Sequence, residues 1–119
     1  MNKRHIQAMA TTALLAICNI ASAGSRTDHV GSVAITTVSG SDILVVALTN
    51  NSVETNKPPC NTAQAFAISL STVKGNDALS MLNLALATGL TVTLNGTGTC
   101  DYAASPANSW ETIDNLTIL

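Results

Sequence analysis

Cysteine is the residue whose number and spacing point most directly to chemistry in this 119-residue chain. Cys18 falls in an apolar N-terminal stretch that is expected to be removed as a signal peptide. Its removal would leave Cys60 and Cys100 as a pair. An even number of cysteines in a short exported domain is typical of a disulfide. A zinc site would need further ligands, and the only histidine after the N-terminal stretch, His29, stands far from both cysteines. We therefore predict a Cys60–Cys100 disulfide and no metal site.

Side chains for catalysis are sparse. A serine or cysteine nucleophile needs a base beside it, and His29 is the only histidine in residues 24–119. Asp101 paired with Glu111 or Asp114 would supply an acid and a base. Nothing in the spacing shows that these carboxylates converge, so surface acids are the simpler interpretation. We predict no catalytic residue, no cofactor and no enzyme activity.

Gly96 and Gly98 form a glycine-x-glycine motif directly before Cys100. A phosphate-binding loop of this kind opens a helix whose free N–H groups meet the phosphate. Because a cysteine and a polar loop follow here instead, we predict a turn.

The polar loop after Cys100 is a candidate binding surface. Tyr102 and Trp110 flank this loop, beside Asp101 and Glu111. An aromatic ring can cover the apolar face of a sugar while carboxylates and amides bind its hydroxyls. We therefore predict sugar binding at these four residues, with burial of Trp110 in the hydrophobic core as the alternative interpretation of that residue.

The N-terminal stretch has the three-part pattern of a secretory signal peptide. Lys3 and Arg4 precede an apolar run over residues 6–20, which ends at Ala21-Ser22-Ala23. The run is shorter and more polar than a membrane-spanning helix, although a retained anchor is the alternative. We predict cleavage after Ala23, so that residues 1–23 are a signal peptide and residues 24–119 a single domain in the periplasm or outside the cell.

Charge argues against two classes of partner. Residues 24–119 carry three basic and seven acidic side chains, a net charge of −4. Nucleic acids and anionic membrane surfaces attract clustered cations. We expect neither partner, and no membrane association once the signal peptide is removed.

Alternation of apolar and polar residues predicts five strands. Residues 24–29 are expected to be a frayed terminus, and polar residues predict loops at 50–59 and 101–109. The pattern predicts an α+β fold: a five-stranded antiparallel, OB-like barrel or curved sheet with one helix between strands 3 and 4. The predicted strands are residues 30–38, 43–48, 63–70, 90–95 and 110–119.

The predicted helix is apolar on nearly every side. Ser71 or Thr72 can cap its first turn, Asn76 or Asp77 offers a second start, and Gly89 ends it. Such a helix must be buried on more than one side, either in its own domain or against another subunit, which makes a homo-oligomer an expectation to test. Its apolar residues are Ala78, Leu79, Met81, Leu82, Leu84, Ala85, Leu86 and Ala87.

The second half of the domain resembles a group of small, uncharacterised secreted proteins of Gram-negative bacteria. This resemblance implies membership of a group and no activity. It lies in the strand at residues 66–70, the following Ser71-Thr72 and helix, the Thr88-Gly89 stop, the strand with Val92, and Gly96-Thr97-Gly98-Thr99-Cys100.

The order of elements is also similar, more distantly, to the receptor-binding B subunits of subtilase-cytotoxin type. The shared features are a signal peptide, antiparallel strands, one helix ending in Thr-Gly before a strand, and cysteines on both sides of that helix. The resemblance implies an OB-like barrel in a pentameric ring, with helices lining the centre, that binds cell-surface glycans. The chain departs from this family in its few aromatic residues and its apolar helix, so no glycan pocket transfers residue by residue.

These observations predict a secreted, non-catalytic binding or interaction module whose partner is a cell-surface glycan or a protein. A glycan-binding, B-subunit-like protein is its most specific form. The alternative is a small periplasmic enzyme, or an enzyme inhibitor that presents the loop at residues 50–59 with its shape held by Pro58, Pro59 and Cys60.

Overall fold

The structure, a computed structural model, describes residues 23–49 and 55–119. Apart from Ala23, the predicted signal peptide lies outside these residues, as do residues 50–54 of the predicted loop. The described residues form an α+β fold of five strands and one helix, and the helix lies between the third and fourth strands as predicted. The elements are β1 (Ser25–Val38), β2 (Ser41–Leu48), β3 (Phe66–Ser69), α1 (Val73–Thr88), β4 (Thr91–Gly96) and β5 (Glu111–Ile118).

The strands form a single curved sheet that is mixed rather than antiparallel. Four pairs, β1 with β2, β2 with β3, β1 with β4 and β4 with β5, are antiparallel. The pair of β3 and β5 is parallel, with Phe66 opposite Glu111. The prediction of an antiparallel sheet is therefore wrong for this pair. The physical reason is the connection, because α1 and β4 separate the two strands and a crossover of this length allows both to run in one direction.

The pairing order is β1-β2-β3-β5-β4, and β4 also pairs with β1. Strand β1 pairs with two neighbouring strands. Ser25 to His29 pair with β4, and the residues from Val30 onward pair with β2. The register shifts between Val30 and Ser32, where a bulge bends the strand.

The expectation of a frayed terminus at residues 24–29 is wrong. The backbone of Ser25 to His29 is paired along β4. Arg26 is only 7% exposed, and its Nη2 donates to the Thr49 carbonyl at 2.8 Å. The polar residues of this segment do not alternate with apolar ones, so they do not predict a strand. Its pairing partners are residues of β4, far away in the chain.

Two hydrophobic clusters lie on opposite faces of the strands. In β2, Leu44 and Val46 belong to the larger cluster and Ile43 to the smaller one, which confirms that this strand is buried on both faces. We call them the main core and the second cluster. The buried residues of the main core are Val30, Leu44, Val46, Leu48, Phe66, Ile68, Ala78, Leu82, Ala85, Val92, Leu94 and Ile113. Those of the second cluster are Ile43, Ala65, Ala67 and Trp110.

Helix α1 begins at Val73, five residues before the predicted apolar stretch, because Thr72 caps it. The Thr72 Oγ1 accepts from the Gly75 N–H at 3.0 Å and donates to the Ser69 carbonyl at 2.9 Å. Gly75 lies so close to β3 that a Cβ atom at this position would collide with the Ser69 carbonyl. At the other end, Gly89 adopts a left-handed conformation with φ 72° and confirms the predicted stop.

Only one side of α1 is buried within the described residues. Gly75, Ala78, Leu82 and Ala85 are buried, and the last three belong to the main core. By contrast, Val73 is 79% exposed and Leu84 is 53% exposed. The prediction of burial on a second side is therefore not met within residues 23–49 and 55–119. None of the helices that the structure describes has the length and apolar character needed to cross a bilayer.

Candidate functional site

The predicted disulfide is present. Cys60 and Cys100 are bonded, with their Cα atoms 6.0 Å apart. Cys60 belongs to the segment that leads into β3, and Cys100 follows β4. The bond therefore joins two segments that cover the second cluster.

Hydrogen bonds hold the same two segments together beside the disulfide. The Thr62 hydroxyl donates to the Pro106 carbonyl at 2.8 Å and accepts from the Ser109 N–H at 3.3 Å. A cleft of about 470 Å³ opens here, and neither a charged nor an aromatic side chain is among its lining residues. Such a cleft is poorly suited to stacking against a sugar ring.

The structure divides the four predicted sugar-binding residues between surface and interior. Asp101 is exposed, and its Oδ2 accepts from the Thr112 and Thr99 hydroxyls at 2.9 and 3.3 Å. Tyr102 is half-buried against the second cluster. Trp110 is 8% exposed and belongs to that cluster. Its position agrees with the alternative interpretation, in which the ring is part of the hydrophobic core.

Glu111, by contrast with the exposed Asp101, is fully buried. Its Oε2 accepts from two backbone groups, the Gly24 N–H at 2.8 Å and the Gly98 N–H at 2.9 Å. A Cβ atom at position 96 would collide with the Glu111 carboxyl group, so glycine there permits the approach. Gly96 thus ends β4, Gly98 lies in the bend that follows with φ 87°, and both approach an internal carboxyl group.

A groove between α1 and β5 is the candidate site that the sequence did not predict. Its volume is about 500 Å³. Ala78, Ile113, Met81 and Leu116 give it an apolar floor. The Lys74 ammonium donates to the Asp114 carbonyl at 2.9 Å and bridges the helix to the strand. We call this feature the helix groove; Val73, Lys74, Asp77, Ala78, Met81, Ile113, Asp114, Asn115 and Leu116 line it.

Exposed leucine and valine side chains adjoin the helix groove. Val73 lines it and is largely exposed. Leu84 follows Met81 by three residues, a spacing that places neighbouring side chains on one helix surface. Leu86, 45% exposed, lies on another side of the same helix. Three of the six large hydrophobic side chains that are exposed among the described residues, Val73, Leu84 and Leu86, therefore lie on α1.

Neither metal chemistry nor a known relative adds to this description. Across residues 23–49 and 55–119, no group of three or more His, Cys, Asp or Glu side chains is arranged to hold a metal ion. The chain matches no known family model, no curated protein and no solved structure.

Proposed function

We propose that this chain is an exported, non-catalytic binding module that assembles with copies of itself through α1. The observation that carries the proposal is the exposure of Leu84 and Val73 beside the apolar helix groove. Apolar surface contributes roughly 25 cal/mol per Å² when it is removed from water, and contiguous exposed apolar surface marks interaction sites. A second copy of the chain is the proposed occupant.

An OB-like barrel is the architecture that we propose for the module. Support comes from the pairing order β1-β2-β3-β5-β4, from the return of β4 to β1, and from the helix between β3 and β4. A five-stranded barrel of this kind leaves few free strand edges. Self-association through strand edges is thereby disfavoured, and α1 is left as the better surface for contact between subunits.

A ring is the proposed form of the assembly. Closed rings use one surface patch against a different patch of the next subunit. Helix α1 has apolar side chains on two sides besides its buried face, since Leu84 and Leu86 are both exposed. This arrangement suits a helix that contacts two neighbours around a central axis, as the resemblance to B subunits implies.

Binding of cell-surface glycans is the most specific form of the proposal. In such a ring the loops beside the disulfide would stay free, because they lie away from α1. Asp101, held by two threonine hydroxyls, and the half-buried Tyr102 are the predicted residues that remain accessible there. Trp110 and Glu111 would support these loops from the interior.

The first experiment is the solution mass of the exported, oxidised protein, measured by light scattering. We expect an oligomer for the wild type and a monomer for Leu84→Lys, because a charged side chain cannot be buried in an apolar interface without a partner. Asn83→Lys is the matched control: it adds the same charge at the adjacent exposed position and should leave the oligomer intact. A monomeric wild type, or an oligomeric Leu84→Lys protein, would overturn self-assembly through α1.

The oligomer is then applied to immobilised glycans. Binding that is lost in Asp101→Ala, with the solution mass unchanged, would support the glycan form of the proposal. An oligomer that binds no sugar would remove that form and direct the search to a protein partner.

A further inference from the structure

We propose that Glu111 binds the amino terminus that is created when the chain is cleaved after Ala23. This inference rests on the proposed export of the chain, because cleavage after Ala23 is the predicted end of the signal peptide. Gly24 would then be the first residue of the processed protein. Its nitrogen lies 2.8 Å from Glu111 Oε2, inside the structure.

The surroundings of Glu111 are built around its carboxyl group. The Gly98 N–H donates to the same oxygen, Oε2, and Gly96 leaves the space that the carboxyl group fills. The other oxygen, Oε1, is buried and has no hydrogen-bond partner among the described residues. A buried polar atom without a partner is unfavourable, so the site offers an acceptor that the uncleaved backbone does not use.

Cleavage after Ala23 creates additional hydrogen-bond donors beside Glu111 Oε1. Water adds across the Ala23–Gly24 amide bond, giving Ala23 a carboxyl group and Gly24 a free amine that takes up a proton. The amide nitrogen had one donor and no charge, whereas the ammonium has three donors and one positive charge. Charge-assisted hydrogen bonds are shorter and stronger than neutral ones. The new ammonium can donate to Oε1 as well as Oε2, and it balances the buried carboxylate.

Gly24 is held at this place by contacts that cleavage leaves intact. The Gly96 N–H donates to the Gly24 carbonyl at 2.8 Å. Ser25 exchanges two backbone hydrogen bonds with Thr55, both 2.9 Å, and is paired with Asn95. Ala23 is exposed while Gly24 is buried. The scissile bond therefore lies at the surface, and the new amine stays beside Glu111.

The inference is tested on protein exported from the full-length gene. Mass spectrometry identifies the N-terminal residue of the purified protein. The native protein and the urea-unfolded protein are then treated with limiting acetic anhydride, and acetylation of the Gly24 amine is compared with that of the exposed Lys57 and Lys74. We expect the Gly24 amine to react at least about tenfold more slowly in the native protein, as expected for a protected group.

Two variants separate the ion pair from simple burial. Glu111→Gln keeps the size of the side chain but removes its charge, and we expect it to increase acetylation of the Gly24 amine. Asp114→Asn, which removes an exposed carboxylate of the same strand, should leave the protection unchanged. Should the Glu111→Gln protein fail to fold, the comparison of native and unfolded wild type still tests whether the Gly24 amine is held inside the structure.

Three results would overturn the inference. They are an N-terminus other than Gly24, a Gly24 amine that reacts equally in native and unfolded protein, and unchanged protection in a folded Glu111→Gln protein. None of these readouts depends on the solution mass, so failure of self-assembly through α1 and failure of this inference are distinguishable.

Discussion

The main core and the second cluster share the same strands but are covered in different ways. The main core is closed by α1, a helix whose backbone hydrogen bonds are its own and which contributes Ala78, Leu82 and Ala85. The second cluster has four buried residues and is covered by loops. Those loops are fixed by the Cys60–Cys100 disulfide and a few hydrogen bonds around Thr62. Apolar burial therefore stabilises one face, and a covalent bond stabilises the other.

The largest expected effect comes from removing the disulfide. Replacing Cys60 and Cys100 by serine together should lower the free energy of unfolding by about 4 kcal/mol, because the unfolded chain is no longer constrained across a separation of 40 residues. Urea unfolding followed by circular dichroism measures this loss. Trp110, the only tryptophan, reports on the second cluster, and its emission should shift to the red at lower urea than the loss of secondary structure. Coincident transitions would show that the two regions depend equally on the bond.

A smaller effect is expected from a cavity in the main core. Leu82→Ala removes a fully buried side chain and should lower the free energy of unfolding by about 3 kcal/mol. In the folded variant the Trp110 emission should stay as in the wild type, because the second cluster lies on the other face. Leu84→Ala is the control on the same helix and should cost below about 1 kcal/mol in the dissociated protein. Equal losses for the two leucines would contradict the assignment of the buried face.

The smallest effect is expected at the start of α1. Thr72→Ala removes both hydrogen bonds of the helix cap and should lower the free energy of unfolding by about 1 kcal/mol. Ser80→Ala, an exposed position in the middle of the helix, is the comparison and should be close to neutral. Thermal unfolding monitored by circular dichroism ranks the two. A neutral Thr72→Ala would mean that packing on the main core alone determines where α1 begins.

Much of the fold follows from local patterns in the sequence. The alternation of Leu90, Val92 and Leu94 with polar residues predicts β4, and Gly89 predicts the end of the helix. Local patterns do not predict the parallel pairing of β3 with β5, because it depends on how the chain crosses over between them. They do not predict the first half of β1 either, because its polar residues pair with β4, more than sixty residues away.

The candidate site was harder to predict than the fold. Asp101 and Tyr102 begin a loop, and Trp110 and Glu111 follow its end. The sequence does not show which of these side chains are turned into the interior. A glutamate is ordinarily a surface residue, so its burial carried no local signal. The spacing of Gly96 and Gly98 was the available indication, since two small residues allow a buried group to approach the backbone. The helix groove is not predictable from the sequence, because its position depends on which side of α1 faces β5.

The division of β1 between two neighbours determines the order in which the sheet can be completed. A ribosome delivers the chain from its N-terminus, so Ser25 is made long before its partner Asn95. The hairpin of β1 with β2 can form early, whereas the first half of β1 must wait until β4 has been made. Contacts over such long separations slow folding because much chain entropy is lost before they form. Completion of the sheet is therefore a late, whole-chain event, and a truncated chain that ends before β4 leaves the first half of β1 without its partner.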